Sequence, residues 1–119
     1  MTSPKPLGPY TPVVRAGEWV VVSGQVGVRG GALVDGGVAG QLGQALANMR
    51  ELLEQQGASV SHVVKCTVFL TDIGDYRAMN EAYTAFFGDH RPARSAVAVA
   101  ALPAGAAIEV EAWAYVGEG

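Results

Sequence analysis

Beyond Pro92, the run "HRPARSAVAVAALP" (residues 90–103) carries one cation, Arg94, at the mouth of a segment otherwise built mainly of alanine and valine. The next segment, "AIEVEAWAYV" (107–116), sets two carboxylates, Glu109 and Glu111, two residues apart. A guanidinium grips a carboxylate through parallel hydrogen bonds and keeps its charge at any working pH. A carboxylate can take up and return a proton. Strand side chains alternate between faces, so Ser95, Val97 and Val99 share one side and Arg94, Ala96 and Ala98 the other. In the second segment, Ile108, Val110 and Ala112 oppose Glu109, Glu111, Trp113 and Tyr115. The turn "PAGA" predicts an antiparallel hairpin. Burying Val97 and Val99 with Ile108 and Val110 then puts Arg94 on the face of Glu109 and Glu111. Alanines leave room there, which makes a candidate small-molecule site. The same pattern is also a plain cross-strand ion pair, worth little at a surface. Pattern alone does not decide.

The elements that must position these groups follow from periodicity. "TPVVRAGEWVVVSGQVGV" (11–28) predicts two strands folded about Ala16-Gly17. "GVRGGALVDGGVAG" (27–40) holds six glycines and is expected to be a connecting loop; without a Lys-Ser/Thr ending it is no phosphate cradle. Leu42, Ala45, Leu46, Met49, Leu52 and Leu53 recur at helical spacing over 38–56, with Gly57 as the stop. "HVVKCTVFLTD" (62–72) is β-branched and aromatic, an interior strand. Asp72 or Asp75 caps a second helix with the stripe Tyr76, Met79, Tyr83 and Phe86, ending at Gly88. The order β-β-α-β-α-β-β predicts one α+β domain over 1–119, a single mixed sheet with both helices on one face. The opposite face must then be solvated or buried in an oligomer.

Composition narrows the classes of function. Half of the 119 residues are apolar and 16% charged, a balance that hints at apolar surface buried against another copy of the chain. The net charge is −3 with dispersed basic residues, so a nucleic-acid stripe is absent from the pattern. Cys66 is the sole cysteine, which rules out an intrachain disulfide and a thiolate cluster. "MTSPKPLGPY" lacks the apolar core of a signal peptide, and no segment is long enough to span a membrane; the cytoplasm is the expected location. His62 and His90 are isolated and expected to be solvated, not metal ligands. Ser95 has no histidine placed to activate it.

Six pieces in order along the chain resemble the RidA/YjgF family, also described as the endoribonuclease L-PSP family. They are "GPY" (8–10), "VVVSGQV" (20–26), "VVKCTVFLTD" (63–72), "NEAYTAFFG" (80–88), "RPARSAV" (91–97) and "ALPAGAAIEVEAWA" (101–114). The resemblance implies a chorismate-mutase-like subunit, a homotrimer, and three ligand clefts between subunits. It implies hydrolysis of reactive enamines and imines such as 2-aminoacrylate to 2-keto acids and ammonia, with no metal or organic cofactor. On the matching positions, it makes Arg94 the clamp for the substrate carboxylate and Glu109 the late acidic residue. Tyr10, Ser23, Gly24 and Asn80 match further substrate-binding positions. Many relatives carry cysteine where this chain has Ala96; the position is expected to offer its backbone N–H to the carboxylate, which alanine retains.

These roles suit the chemistry. Hydrolysis needs a water aimed at the C=N carbon and a proton delivered to nitrogen, and Glu109 is the candidate to hold that water. Gly24 lets a ligand approach its backbone, and Tyr10 is expected to close the cleft. Cys66 is expected to be structural. Two competing functions remain open from the sequence: a non-catalytic module binding a small carboxylate or keto acid in the same cleft, and an endoribonuclease, against which the acidic charge argues.

Overall fold

A computed structural model describes residues 6–117; residues 1–5, half of the N-terminal stretch read above, lie outside the described residues, as do 118–119. Strand β1 (Val13–Ala16) and strand β2 (Trp19–Val26) form a hairpin with Ala16 opposite Trp19. Helix α1 (Gly37–Gln55) follows, then β5 (Val63–Leu70), α2 (Tyr76–Phe87), β6 (Ala93–Ala98) and β7 (Ile108–Tyr115). Between β2 and α1 lies a ribbon of two short strands, β3 (Val28–Arg29) and β4 (Ala32–Leu33). This corrects the expectation of a plain loop over 27–40. Gly30 and Gly31, at φ +62° and +86°, supply the two left-handed positions that a tight two-residue hairpin demands. The amide of Asn48 on α1 ties the ribbon down, donating to the carbonyls of Val26 and Val28 at 3.3 and 3.1 Å.

The main sheet runs β1-β2-β7-β5-β6, and both helices cover one face. Under them lie Val20, Val22, Cys66, Val68, Ile108, Val110 and Ala112 from the strands. From α1 the predicted stripe meets them, with Leu42, Leu46, Met49 and Leu53 wholly buried. Truncating any of these leucines to alanine costs about 2–5 kcal/mol by cavity formation. Met79, Tyr83 and Phe87 close the core from α2. The helix limits differ from expectation by one residue at each end of α1, where Gly36 takes the left-handed N-cap and Gln56 the C-cap.

One topological expectation fails. The last two strands are not a hairpin, because β5 lies between them, parallel to β6 and antiparallel to β7. The reason is the helix between β5 and β6: a strand–helix–strand unit returns its second strand parallel to the first. The chain then crosses the end of β5, held by Val99 N–H to the Leu70 carbonyl (2.7 Å) and Thr71 N–H to the Ala107 carbonyl (3.1 Å). The face assignment turns over with the topology. Arg94 pairs with Cys66 and Ala96 with Val68, so both point to the helix-covered face. Ser95 and Val97 share the open face with Glu109 and Glu111. That open face also carries Val14, Trp19 and Trp113, all exposed, with the two indoles edge-on at 6.1 Å between centroids.

Candidate active site

On the edge strand β6, the guanidinium of Arg94 reaches under α2. Its Nη2 donates to Asn80 Oδ1 at 2.8 Å and to the Tyr76 hydroxyl at 3.1 Å. Its carbon sits 4.7 Å from the centroid of the Tyr83 ring and 5.7 Å from that of Tyr76. Tyr76, Asn80 and Tyr83 stand at i, i+4 and i+7, one face of a helix, which is why a single helix can present all three. An arginine over an aromatic face is electrostatically favoured and fixed in plane. Among the described residues no carboxylate lies within 4.0 Å of Arg94, so the ion-pair reading with Glu111 is set aside.

Beneath this group, Cys66 is buried and its thiol is pushed up to about 11, chiefly by burial. It is protonated at neutral pH, in keeping with a structural cysteine. Tyr83 titrates above the ordinary tyrosine range, again mainly through burial, and stays a neutral platform.

A second group forms where β2 meets β7. Between Val22 and Gln25 the pairing with β7 slips by one residue, a bulge at Ser23–Gly24. The Gln25 side-chain amide donates to the Ser23 carbonyl at 3.2 Å across this bulge. Ser23 is further anchored by its N–H and hydroxyl, both donated to the Pro12 carbonyl at 2.9 and 3.1 Å. The Glu109 carboxylate then lies directly over Gly24: a Cβ there would stand 2.6 Å from Glu109 Oε1. Burial raises the Glu109 pKa above the usual carboxylate value, and Glu111 adds to the shift. Tyr10 is exposed, its hydroxyl accepting from Leu7 N–H at 3.0 Å. With Leu7, Gly24 and Asn48 it lines a small cavity of about 50 Å³.

The expected site residues therefore fall into two sets. Arg94, Asn80 and Ala96 gather on the helix side of β6; Tyr10, Ser23, Gly24 and Glu109 gather at the β2–β7 end. Glu109 and Arg94 are two strands and three residues apart in register, about 14 Å on ordinary sheet spacings, and on opposite faces. Tyr76 and Tyr83 were legible only as an apolar stripe; the strand–helix–strand spacing of 63–98 was the signal that α2 must lie over Arg94. Both histidines, expected to be solvated, are engaged instead. His62 Nδ1 accepts from Ser59 N–H at 2.9 Å, and His90 Nε2 bonds the Val63 carbonyl at 2.8 Å.

Gly24→Ala tests the contact with Glu109. The added methyl displaces the carboxylate rather than the backbone, so kcat for the reaction proposed below falls at least about tenfold while far-UV circular dichroism is unchanged. Full activity in this variant would show that the position of Glu109 is immaterial.

The family model for Endoribonuclease L-PSP matches residues 1–116. The chain belongs to this family, the RidA/YjgF family. Human 2-iminobutanoate/2-iminopropanoate deaminase is 45% identical over 117 residues, covering 97% of this chain and 85% of that protein. Among solved structures, the yjgF gene product of E. coli superposes with a TM-score of 0.89 at 40% identity, covering 95% of this chain and 92% of that one. E. coli TdcF with bound serine gives a TM-score of 0.91 at 37% identity, covering 97% and 94%. The α+β, chorismate-mutase-like subunit expected of a RidA/YjgF member is thus borne out.

Proposed function

We propose that this chain is a hydrolytic deaminase of 2-imino acids and their enamine tautomers, releasing a 2-keto acid and ammonia. The observation that carries the reading is Arg94: a guanidinium held against Tyr76, Asn80 and Tyr83, with no carboxylate partner among the described residues. Such a group is a receptor for an anionic ligand. The 45% identity to the human deaminase supports imino acids as the class of ligand.

In the reaction, a proton from solvent first adds to the β-carbon of the enamine, giving the iminium ion. Water oxygen adds to the C=N carbon, its proton passing to Glu109, and the electron pair of the C=N bond moves to nitrogen. The tetrahedral adduct loses its C–N bond as Glu109 returns the proton to nitrogen; ammonia leaves, and the hydroxyl gives up its proton to solvent as the C=O bond forms. Glu109 is suited to both transfers because burial lifts its pKa towards the working range. Arg94 holds the carboxylate throughout, and the Ala96 backbone N–H supplements it. Ser23 and Gly24 shape the water side of the site, and Tyr10 covers it.

Since Arg94 and Glu109 lie apart and on opposite faces, one copy brings them to no common ligand. A cleft completed by a second copy unites them, and the apolar open face with Trp19, Trp113 and Val97 exposed is the surface to be covered. We take the assembly to be a homotrimer of one-domain chains acting in the cytoplasm. RNA cleavage is the weaker reading: His62 is tied to the Ser59 N–H and His90 to the Val63 carbonyl, and the net charge is −3.

The test generates 2-aminoacrylate from serine with a dehydratase and follows semicarbazide trapping with and without the protein. Accelerated pyruvate release at the expense of trapping is expected. Keto-acid binding without turnover would instead leave a non-catalytic carboxylate-binding module.

A further inference from the structure

We infer that Tyr76 is a second donor to the carboxylate of the ligand, acting beside Arg94 rather than merely bracing it. The inference rests on Arg94 as the carboxylate receptor, and it starts from counting protons on the guanidinium. An arginine presents five N–H groups, and its two-pronged edges pair one Nη2 proton with Nε–H or the other with an Nη1 proton. Here Asn80 Oδ1 and the Tyr76 hydroxyl accept from Nη2 at 2.8 and 3.1 Å. Each two-pronged edge has therefore one proton already engaged. The Tyr83 and Tyr76 ring centroids lie 4.7 and 5.7 Å from the guanidinium carbon.

A carboxylate arriving there finds three free guanidinium protons, one on Nε and two on Nη1, but neither two-pronged edge complete. It needs another donor alongside. Arginine can only donate, so the Tyr76 oxygen must be the acceptor in its contact with Arg94, which leaves the phenolic proton free. Among the described residues that proton has no acceptor, and Tyr76 is 44% exposed at the rim of the group. Beside the Ala96 N–H, the receptor thus pairs a guanidinium proton with a phenol proton, the two held together by the Tyr76–Arg94 hydrogen bond. Polarisation by the cation makes the phenol a better donor. Asn80 fixes the guanidinium through Oδ1, which accepts from Nη2; the donors of its amide are on Nδ2.

Tyr76→Phe keeps the ring and removes the hydroxyl alone. A hydrogen bond to a charged group is worth about 10–150-fold in binding; because the change also frees an Nη2 proton, the expected loss is at the lower end. By calorimetry, the Kd for 2-oxobutanoate rises about tenfold. The KM for 2-aminoacrylate rises in parallel with kcat within about twofold, since the hydroxyl binds the carboxylate and not the reacting carbon. In crystals of the wild-type protein with 2-oxobutanoate, Tyr76 Oη lies within hydrogen-bond distance of a carboxylate oxygen. A Kd unchanged in Tyr76→Phe, a fall confined to kcat, or a carboxylate held by Arg94 with the Tyr76 hydroxyl turned away overturns the inference. Wild-type protein that binds 2-oxobutanoate through Arg94 and Tyr76 but hydrolyses no imine loses the deaminase reading and keeps this one. Wild-type protein that binds no 2-keto acid loses both.

Discussion

Arg94→Ala is expected to lower kcat/KM for 2-aminoacrylate by about 10²–10⁴-fold, because it removes the guanidinium's hydrogen bond to the carboxylate and the support of the Tyr76 hydroxyl that makes the second, at about 1.5–3 kcal/mol each. The loss falls mostly on KM, because the carboxylate is gripped equally in ground and transition states. Folding is spared: the side chain is on an edge strand, and the groups it leaves, Asn80 Oδ1 and the Tyr76 hydroxyl, can take water in its place. Arg94→Lys does not restore function. An ammonium has no flat face to lie on the Tyr83 ring, and its donors cannot bridge Asn80, Tyr76 and a ligand in one plane. Steady-state kinetics with keto-acid calorimetry on both variants checks this. An alanine variant with unaltered KM would place the carboxylate elsewhere and remove the basis of the proposed activity.

Glu109→Gln is expected to act on the other kinetic constant and, unusually for an active-site change, to stabilise the protein. Loss of the proton acceptor lowers kcat by about 10²–10⁴-fold with KM nearly unchanged. In the wild type, kcat/KM falls on the acid side as Glu109 is protonated, at a pH above the normal glutamate value because its pKa is raised. The glutamine variant loses that limb. The stability sign follows from the same shift. With the folded pKa above the unfolded one, the folded state binds more protons between the two values, so stability declines as pH rises through that window. Above it, the ionised Glu109 is a net cost, set by burial first and Glu111 second. Glutamine removes that cost, so Tm at neutral pH rises by a few degrees; the side chain is only partly buried, which keeps the gain small. Lower activity with lower Tm would mean that the substitution damages the fold instead.

The limits of the sequence reading can be traced residue by residue. Helix α1 was legible because Leu42, Leu46, Met49 and Leu53 repeat with the helical period and bury one stripe wherever the helix sits. The glycines at 30 and 31 were legible as a break, but not as a hairpin, since two-residue strands leave too little alternation to count. Glu109 was legible as a face-mate of Glu111 because that relation is two residues long. Its contact with Gly24 was not, since it depends on a one-residue slip between strands far apart in sequence.

Arg94 marks the boundary most clearly. Its residue type, its isolation in an alanine-rich strand and its family motif are properties of the chain alone, and they already pointed to a carboxylate. Which face it occupies was settled by strand order, and strand order depends on what α2 does between β5 and β6. Local alternation relates a residue only to its own strand; it cannot say which neighbour that strand will have. With β5 interposed, Arg94 moved from the face of Glu109 to the face of the helices. There it acquired Tyr76, Asn80 and Tyr83 in place of a glutamate. The sequence by itself determined the groups able to do the chemistry; the tertiary structure alone decided their company, because long-range pairing, not local pattern, sets which side chains meet.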